Sequence, residues 1–309
     1  MTNPETTDGT APTPSPTLRG AVDVWVNLFT PAACHRVYYE TEEMRGVAEW
    51  WHIEEIAKGQ DTAAFVKTLD AVGVDKVIIP STKMRSHRKR QMMYSIEVEE
   101  IAAVSAQAPD RIYGAFGIDP YQIMDGVRGL EASVRDHGFV AAHVHPYGFA
   151  LPVNSREWYP FYAKCVELEI PVLIQVGHSA EFMPSAVGQP ILIDDIALDF
   201  PELTIVACHM GWPWVEELIA LGWKHPNVYI ATTAHAPRYW DQKFVQFANS
   251  RGKDKVVFGS DWPVLTHERC AREIAELGMR EESLDKLLRT NALRIFPRLN
   301  APAAVGTPR

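Results

Sequence analysis

The sequence predicts an α/β protein, a (β/α)8 barrel, and two observations favour this fold class. Eight short runs rich in Val, Ile and aromatic residues recur along the chain, and the segments between them space apolar residues at helical intervals. Several runs are apolar at nearly every position, which is typical of strands covered on both faces in a parallel sheet. Eight such units in 309 residues indicate a closed barrel, with an open doubly wound sheet as the alternative.

The predicted strands follow one another at regular intervals. In chain order they are AVDVWVN, VDKVIIP, RIYGAFGI, FVAAHVH, PVLIQVG, LTIVACH, NVYIATT and KVVFGSD. Helical spacing is clearest in two groups of apolar residues: Ala63, Phe65, Val66 and Leu69, and Val215, Leu218, Ile219 and Trp223. The alternation therefore predicts a strand followed by a helix in each unit.

The predicted barrel is one domain over residues 20–297. Residues 1–19 are rich in Thr and Pro and offer almost no apolar surface to bury, so they are predicted to be a disordered leader. Residues 298–309 are rich in Ala and Pro and are predicted to be a flexible tail.

Composition excludes several classes of protein. The 30 Lys and Arg residues and 39 Asp and Glu residues leave a formal charge of -9, which argues against nucleic acid as a partner. The four cysteines are far apart and predict neither a disulfide scaffold nor a cysteine zinc site. No apolar run is long enough to span a membrane and the N-terminus has no signal-peptide pattern, so we expect a cytoplasmic protein without membrane contact.

Polar residues follow the predicted strands at the end where a barrel carries its active site. The residues at these positions that could bind a metal, bind a substrate or move a proton are Trp25, Asn27, His143, His145, His178, His209, His235 and Asp261. A single histidine at a strand end is most often a hydrogen-bonded core or rim residue. Five at the same end of the predicted barrel instead indicate a metal site assembled from several strands.

The spacing of His143 and His145 supports this prediction. Two residues apart on one strand, both side chains emerge on the same face. Imidazoles with one carboxylate suit a divalent cation such as Zn²⁺, whereas Ca²⁺ and Mg²⁺ require more oxygen ligands.

At these residues the sequence resembles the amidohydrolase superfamily, in the branch related to aminocarboxymuconate semialdehyde decarboxylase, over residues 20–297. The resemblance rests on VDVWVN, the H-x-HP of the fourth run, QVGH, DFPELTIVACHMG, KHPNVYI and FGSDWP. It implies a distorted barrel with one divalent metal, Zn²⁺ or alternatively Mn²⁺. It also implies that His178 is a metal ligand, Asp261 a ligand or proton acceptor, and His209 the catalytic acid or base.

The first strand departs from the family pattern D-x-H-x-H, since this chain has Trp25 and Asn27 at the two histidine positions. Trp cannot bind a metal ion, and Asn offers only a neutral carbonyl. We therefore predict that His143 and His145 replace the missing ligands and join His178 and Asp261. Trp25 is then either a wall for an aromatic substrate or a packed barrel residue, and Asn27 a substrate contact.

Three functions are compatible with these residues. Segments such as YPFYAKCVELEIPV and AHAPRYW resemble the 4-hydroxyphenyl-β-ketoacyl-CoA hydrolase branch, which implies that metal-activated water cleaves a carbon–carbon bond in an aromatic acyl-CoA thioester. The alternative is non-oxidative decarboxylation of an aromatic or enoic acid, and a third is a metal-free binding protein. In the two catalytic alternatives His209 and Asp261 carry the chemistry, and His235 either orients the substrate or makes a rim hydrogen bond.

Two further segments are predicted to lie near the mouth of the barrel. The basic run from Lys83 to Arg90 is either a solvated loop or a clamp for a carboxylate or coenzyme A phosphates, with Arg85 as the predicted contact. The long connection over residues 30–60 is predicted to form a lid or a contact in a homodimer.

Overall fold

Eight parallel strands form one sheet in the order in which they occur along the chain. The computed structural model describes residues 17–300. Its strands are β1 (Ala21–Asp23), β2 (Val74–Pro80), β3 (Lys83–Arg85), β4 (Met92–Ser95), β5 (Ile112–Gly117), β6 (Ala141–Val144), β7 (Val172–Gln175), β8 (Ile205–Cys208), β9 (Val228–Ala231) and β10 (Val256–Val257). All belong to the sheet except β3 and β4, which pair as an antiparallel hairpin. Each of the eight sheet strands lies within one of the predicted runs.

Helices separate the strands, as predicted. They are α1 (Pro31–His35), α2 (Glu42–Trp51), α3 (Thr62–Val72), α4 (Val98–Gln107), α5 (Ile123–His137), α6 (Tyr159–Glu167), α7 (Ile193–Asp199), α8 (Val215–Lys224), α9 (Gln242–Ala248), α10 (His267–Ala275), α11 (Glu281–Asp285) and α12 (Asn291–Ile295). Single π turns cover Arg36–Glu40 and Lys286–Thr290. Short 3-10 turns cover Ile56–Lys58, Ser185–Gly188, Pro190–Leu192, His209–Gly211, Pro237–Tyr239 and Pro297–Asn300.

Helix α3 shows why the local sequence folds as it does. The Asp61 side chain accepts a hydrogen bond from the Ala64 backbone at 2.8 Å and caps the first turn. Gly73 ends the helix in the left-handed conformation, with φ of 77°, which glycine adopts without strain. Between these two residues, Phe65 and Leu69 lie one turn apart and are buried, so the helix packs onto the sheet through one apolar face.

The sheet closes into a barrel because its first and last strands meet. The Val24 backbone N–H donates to the Phe258 carbonyl at 3.1 Å, and the Asp261 N–H donates to the Trp25 carbonyl at 3.0 Å. An open sheet would leave these groups at two exposed edges. The (β/α)8 prediction is thus confirmed, and the open-sheet alternative is wrong.

The core has two layers, on the two faces of the strands. Inward-facing side chains, among them Val22, Ile78, Leu173, Val206 and Val257, fill the barrel interior. A larger cluster packs the outer face of the sheet against the surrounding helices. A filled interior leaves the carboxyl ends of the strands as the place for a site.

The described residues, 17–300, extend slightly beyond both ends of the predicted domain, 20–297. Leu18 is buried and its N–H donates to the Val72 carbonyl at 2.7 Å, so the predicted leader ends too late. Leu299 is also buried, within the final 3-10 turn, so the predicted tail begins too early. Both leucines bury apolar area that offsets the entropy of ordering their neighbours. The rest of the predicted leader and tail, residues 1–16 and 301–309, lies outside the described residues.

Two findings concern membrane-spanning helices and cysteines in this part of the chain. No helix of residues 17–300 is both long and apolar enough to cross a membrane. All four cysteines fall within these residues, and each is buried and unpaired.

Candidate active site

A pocket of about 200 Å³ opens at the carboxyl ends of the barrel strands. Six of the nine predicted site residues line it, namely Trp25, Asn27, His178, His209, His235 and Asp261. They come from five different strand ends, and the barrel brings them into the lining of one pocket, while their roles stay predictions.

Asp261 follows β10 and lies at the base of the pocket. Its backbone has φ of 60°, a left-handed conformation that is uncommon outside glycine and is often found at functional positions. The Asn27 side-chain amide donates to Asp261 Oδ1 at 2.8 Å. Burial, and to a smaller extent the carboxylates of Glu181 and Asp23, raises the pKa of Asp261 to about 8. The carboxyl group is therefore largely protonated at pH 7 and can donate a proton.

His209 follows β8 and is also left-handed, with φ of 63°. Its backbone N–H donates to the Thr233 hydroxyl at 2.7 Å, and that hydroxyl lies 2.9 Å from His209 Nδ1. If the hydroxyl donates to Nδ1, both contacts are satisfied and the ring carries its proton on Nε2. Burial and the neighbouring His235 lower the pKa of His209 to about 3, so the ring is neutral at pH 7.

His178 and His235 complete a group of three imidazoles in the pocket. Gly177 precedes His178 with φ of 100°, and a Cβ atom there would lie 2.6 Å from the Trp212 carbonyl oxygen. Only glycine therefore allows the close approach in which His178 N–H donates to that carbonyl at 2.8 Å. Burial and the nearby His178 lower the pKa of His235 to about 4.

His143 and His145 are buried and are not among the residues that line the pocket. The Gln175 amide donates to His143 Nε2 at 3.2 Å. Neither ring nitrogen of His145 has a hydrogen-bond partner among the described residues. Burial lowers the pKa of both imidazoles, so both are neutral.

These side chains do not form the predicted metal site. Among residues 17–300, no three His, Cys, Asp or Glu side chains are arranged so that they could hold one metal ion. The predicted ligands His143, His145, His178 and Asp261 are therefore not brought together about one point. The reason lies in the first strand, where the Trp25 ring contacts His143 and His209, and the Asn27 amide occupies Asp261.

Several pocket residues were not predicted. The walls include the aromatic side chains Tyr38, Tyr94 and Tyr147, together with Gln175 and Glu181. Of these, Gln175 carried a signal, because it lies two residues after the inward-facing Leu173 and so shares its face. Tyr38 lies in the connection that is predicted to form a lid. The others come from loops and the β3–β4 hairpin, which strand-end reasoning does not reach.

The long connection over residues 30–60 folds across the pocket. It contains α1 and α2 and contributes Tyr38, Met44, Trp50 and Trp51 to the lining. Its position agrees with the predicted lid, whereas a role in a homodimer stays a prediction.

Arg85 is not brought to the pocket. It lies in β3, its guanidinium donates to the Arg90 carbonyl at 2.8 Å, and it packs 5.3 Å from the centre of the Tyr121 ring. None of the described residues that line the pocket is Lys or Arg. The predicted basic clamp is thus wrong for this pocket, because the basic run forms a hairpin whose turn is held by its own backbone.

We expect Arg85→Ala to change kcat/KM by no more than about twofold, the factor that corresponds to the ~0.5 kcal/mol typical of surface substitutions. The measurement is steady-state kinetics with the substrate that supports turnover. A tenfold rise in KM would contradict the placement of Arg85 outside the substrate site.

A closed parallel barrel with ionisable side chains gathered at the carboxyl ends of its strands defines a barrel enzyme. A model of the amidohydrolase family matches residues 22–298. The chain belongs to this family and is an enzyme.

Its similarity to known proteins is distant but extends over most of the chain. The γ-resorcylate decarboxylase of Rhizobium radiobacter is 24% identical, over 77% of this chain and 86% of that protein. The 2-keto-4-carboxy-3-hexenedioate hydratase of a Sphingobium species is 26% identical, over 56% of this chain and 61% of that protein. A 5-carboxyvanillate decarboxylase structure from Novosphingobium aromaticivorans, complexed with manganese and 4-hydroxy-3-methoxy-5-nitrobenzoic acid, has a TM-score of 0.66 at 16% identity and covers 90% of this chain and 96% of that one.

These relatives bear on the predicted activities. They are decarboxylases and a hydratase, so they favour the alternative prediction, decarboxylation, over hydrolysis of a carbon–carbon bond. The manganese of the solved relative agrees with the divalent metal that the resemblance implies for the family, and zinc is not indicated.

Proposed function

We propose that this enzyme is a non-oxidative decarboxylase of a small aromatic or enoic carboxylic acid. The observation that carries the proposal is the buried Asp261 carboxyl group in the lining of a pocket with aromatic walls. Burial raises the pKa of this group to about 8, which favours its protonated, proton-donating form at pH 7. Decarboxylation needs a proton donor for the carbon that loses carbon dioxide. The names of the relatives support the same reaction class.

The size and charge of the pocket favour a one-ring acid over a thioester. At about 200 Å³ it is smaller than the ~300–1,000 Å³ typical of sites for drug-sized ligands. The lining described above has no Lys or Arg side chain to pair with the phosphates of coenzyme A. Tyr38, Tyr94 and Tyr147 instead offer aromatic surface on which a ring can pack.

The reaction can be written with this chain's own groups. Asp261 donates its proton to the carbon that bears the carboxylate. The bond from that carbon to the carboxylate then breaks, its electron pair returns to the ring or double bond, and carbon dioxide leaves. Solvent reprotonates Asp261. The neutral Nε2–H of His209 is suited to hydrogen-bond a carboxylate oxygen and hold the carbon near Asp261.

The electrostatics of the pocket favour loss of the negative charge. Glu181, held by the Ser179 hydroxyl at 2.6 Å, adds a carboxylate to a lining in which no described residue is Lys or Arg. A substrate carboxylate finds no positively charged Lys or Arg side chain among the described lining residues to pair with. Carbon dioxide is neutral and needs no such partner. This environment lowers the barrier by destabilising the charged ground state relative to the product.

The test is release of carbon dioxide from a panel of aromatic acids. The panel includes γ-resorcylate and 5-carboxyvanillate, named for the relatives, and an aryl β-ketoacyl-CoA thioester as the competing substrate class. We expect stoichiometric carbon dioxide and the decarboxylated ring from at least one acid. Cleavage of the thioester with no carbon dioxide from any acid would replace decarboxylation by hydrolysis.

The pH profile is a second expected result. Asp261 acts as a donor only when protonated, so kcat/KM is expected to fall about tenfold per pH unit above its pKa of about 8. Protonation of His209 and His235, with pKa values of about 3 and 4, does not alter the rate between pH 5 and 8. A rate that rises with pH through 8 would assign the essential group to a base instead.

A further inference from the structure

The segment that follows β1 places an indole ring where side chains from several strands converge. Trp25 is only 2% exposed. Its ring lies edge-on to His143, with centroids 4.6 Å apart and planes at 89°, and edge-on to His209 at 5.3 Å. A zinc-type site needs ligand nitrogens about 2.0–2.1 Å from one ion. The indole thus packs against both imidazoles at the first position where the family pattern has a histidine, and it supplies no ligand atom of its own.

Asn27 lies two residues after Trp25, and its side-chain amide is hydrogen-bonded to the Asp261 carboxyl group. Its Nδ2 group donates to Asp261 Oδ1 at 2.8 Å and to the Trp262 carbonyl at 2.9 Å. Because a carbonyl oxygen can only accept, this contact fixes the orientation of the amide with its N–H groups towards both acceptors. A cation beside Asp261 would therefore meet N–H hydrogens rather than the amide oxygen.

One buried donor of this group remains unused. Trp25 Nε1–H has no hydrogen-bond partner among the described residues, although its side chain lines the pocket. A buried N–H left without an acceptor costs about 1–3 kcal/mol, so a ligand oxygen that accepts from it gains affinity. Within residues 17–300, the indole N–H is thus an unsatisfied donor on a side chain that lines the pocket.

We propose that the active site of this enzyme works without a metal ion, and that Trp25 takes the ion's place. The indole ring packs against His143 and His209, and its N–H donates a hydrogen bond to a substrate oxygen. The second part rests on the proposed function, since it assumes a carboxylate substrate. The first part does not, because it concerns only which ligands the chain can bring together.

Elemental analysis tests the first part. The full chain, with its affinity tag removed and no chelator used, is incubated with excess Zn²⁺ or Mn²⁺, desalted and analysed by mass spectrometry. We expect less than about 0.1 equivalent of either metal and no change in melting temperature. About one equivalent, with a melting temperature that falls when a chelator removes it, would overturn the proposal whatever the catalytic activity.

A double variant provides the matched comparison. Trp25→His with Asn27→His places two imidazoles on the same segment, beside His209 and Asp261. We expect this variant to retain about one equivalent of metal and to melt at a higher temperature with metal than without it. A double variant that folds, as judged by circular dichroism, yet retains no metal would show that these two residues are not what excludes the ion.

Trp25→Phe tests the donor, because it keeps an aromatic ring and removes the N–H. The probe is 4-hydroxy-3-methoxy-5-nitrobenzoate, and its binding is measured by calorimetry on metal-free protein. We expect about a tenfold loss of affinity, the usual effect of one hydrogen bond to a charged group. Equal affinity of the wild type and Trp25→Phe would overturn this role of the indole. Failure of the proposed function can be distinguished from this outcome, because it would appear as a lack of carbon dioxide release from every acid tested.

Discussion

Replacing Asp261 by Asn is expected to lower kcat for decarboxylation by about 10³-fold, within the ~10²–10⁴-fold range that general acid catalysis contributes. The substitution keeps the shape of the side chain and an oxygen that accepts from the Asn27 amide. It removes only the acidic proton. The measurement is carbon dioxide release under saturating substrate, with KM followed separately.

The stability of the same variant distinguishes a catalytic role from a structural one. The folded pKa of Asp261 lies near 8, above the value of about 3.9 for an unfolded aspartate, so ionisation disfavours the fold as pH rises from about 4 towards 8. Asn carries no such charge, and Asp261→Asn is expected to melt at a higher temperature than the wild type at pH 8. A variant that is both inactive and less stable would indicate that Asp261 holds the barrel together rather than donating a proton.

The architecture could be predicted from the sequence because it depends on repeated local signals. Each sheet strand lies within a run of apolar residues, and the carboxyl end of a parallel strand fixes which residues reach the mouth. For this reason one pocket could be predicted, without knowledge of any interatomic distance, for His178, His209, His235 and Asp261. The prediction required only the order and direction of the strands.

The coordination predicted for those residues failed because it depends on side-chain packing across the barrel. Strand spacing places His143 and His145 on one inward face. It does not show that both side chains are buried outside the lining of the pocket. It also does not show that the Trp25 ring lies against His143, or which face of the Asn27 amide meets Asp261. Such contacts join residues more than 100 positions apart, and no local periodicity encodes them.

The hairpin formed by β3 and β4 is the clearest case of missed local structure. Its strands are only three and four residues long, and the basic run covers β3 and most of the turn that follows it. High charge suppresses the apolar alternation that marks a strand, so the sequence predicts a loop or a clamp here rather than a hairpin. The tertiary contacts of Arg85 with the Arg90 carbonyl and the Tyr121 ring decide its position instead.

Asp23 illustrates how one motif residue can have a role other than that of its neighbours. It belongs to the first-strand pattern, yet it is fully buried and absent from the pocket lining. Its Oδ1 accepts from the backbone N–H groups of Trp25 and Ser260, both at 3.0 Å. Its Oδ2 lies 2.5 Å from the Ser260 hydroxyl and 2.8 Å from His267 Nε2. The carboxylate thus links β1 to the segment after β10, where the barrel closes.

Asp23→Ala is therefore expected to lower the free energy of unfolding by about 3–5 kcal/mol, because it leaves several buried hydrogen-bond donors without their acceptor. Urea unfolding followed by circular dichroism measures it. The buried partners left behind are the Ser260 N–H and hydroxyl and the His267 ring, which is 3% exposed. Asp23→Asn keeps the volume and one acceptor oxygen, so its loss should be smaller, about 1–3 kcal/mol.

The matched control is Asp136→Ala, which removes an aspartate whose pair with Arg135 is solvent-exposed. Exposed pairs contribute about 0–1 kcal/mol, so this variant should unfold almost as the wild type does. If Asp23→Ala lowered the free energy of unfolding no more than Asp136→Ala does, the contact between the first and last strands would be held by backbone hydrogen bonds alone. A loss several times larger would instead assign closure of the barrel to this one buried carboxylate, because burial leaves its hydrogen-bonding partners no water to replace it.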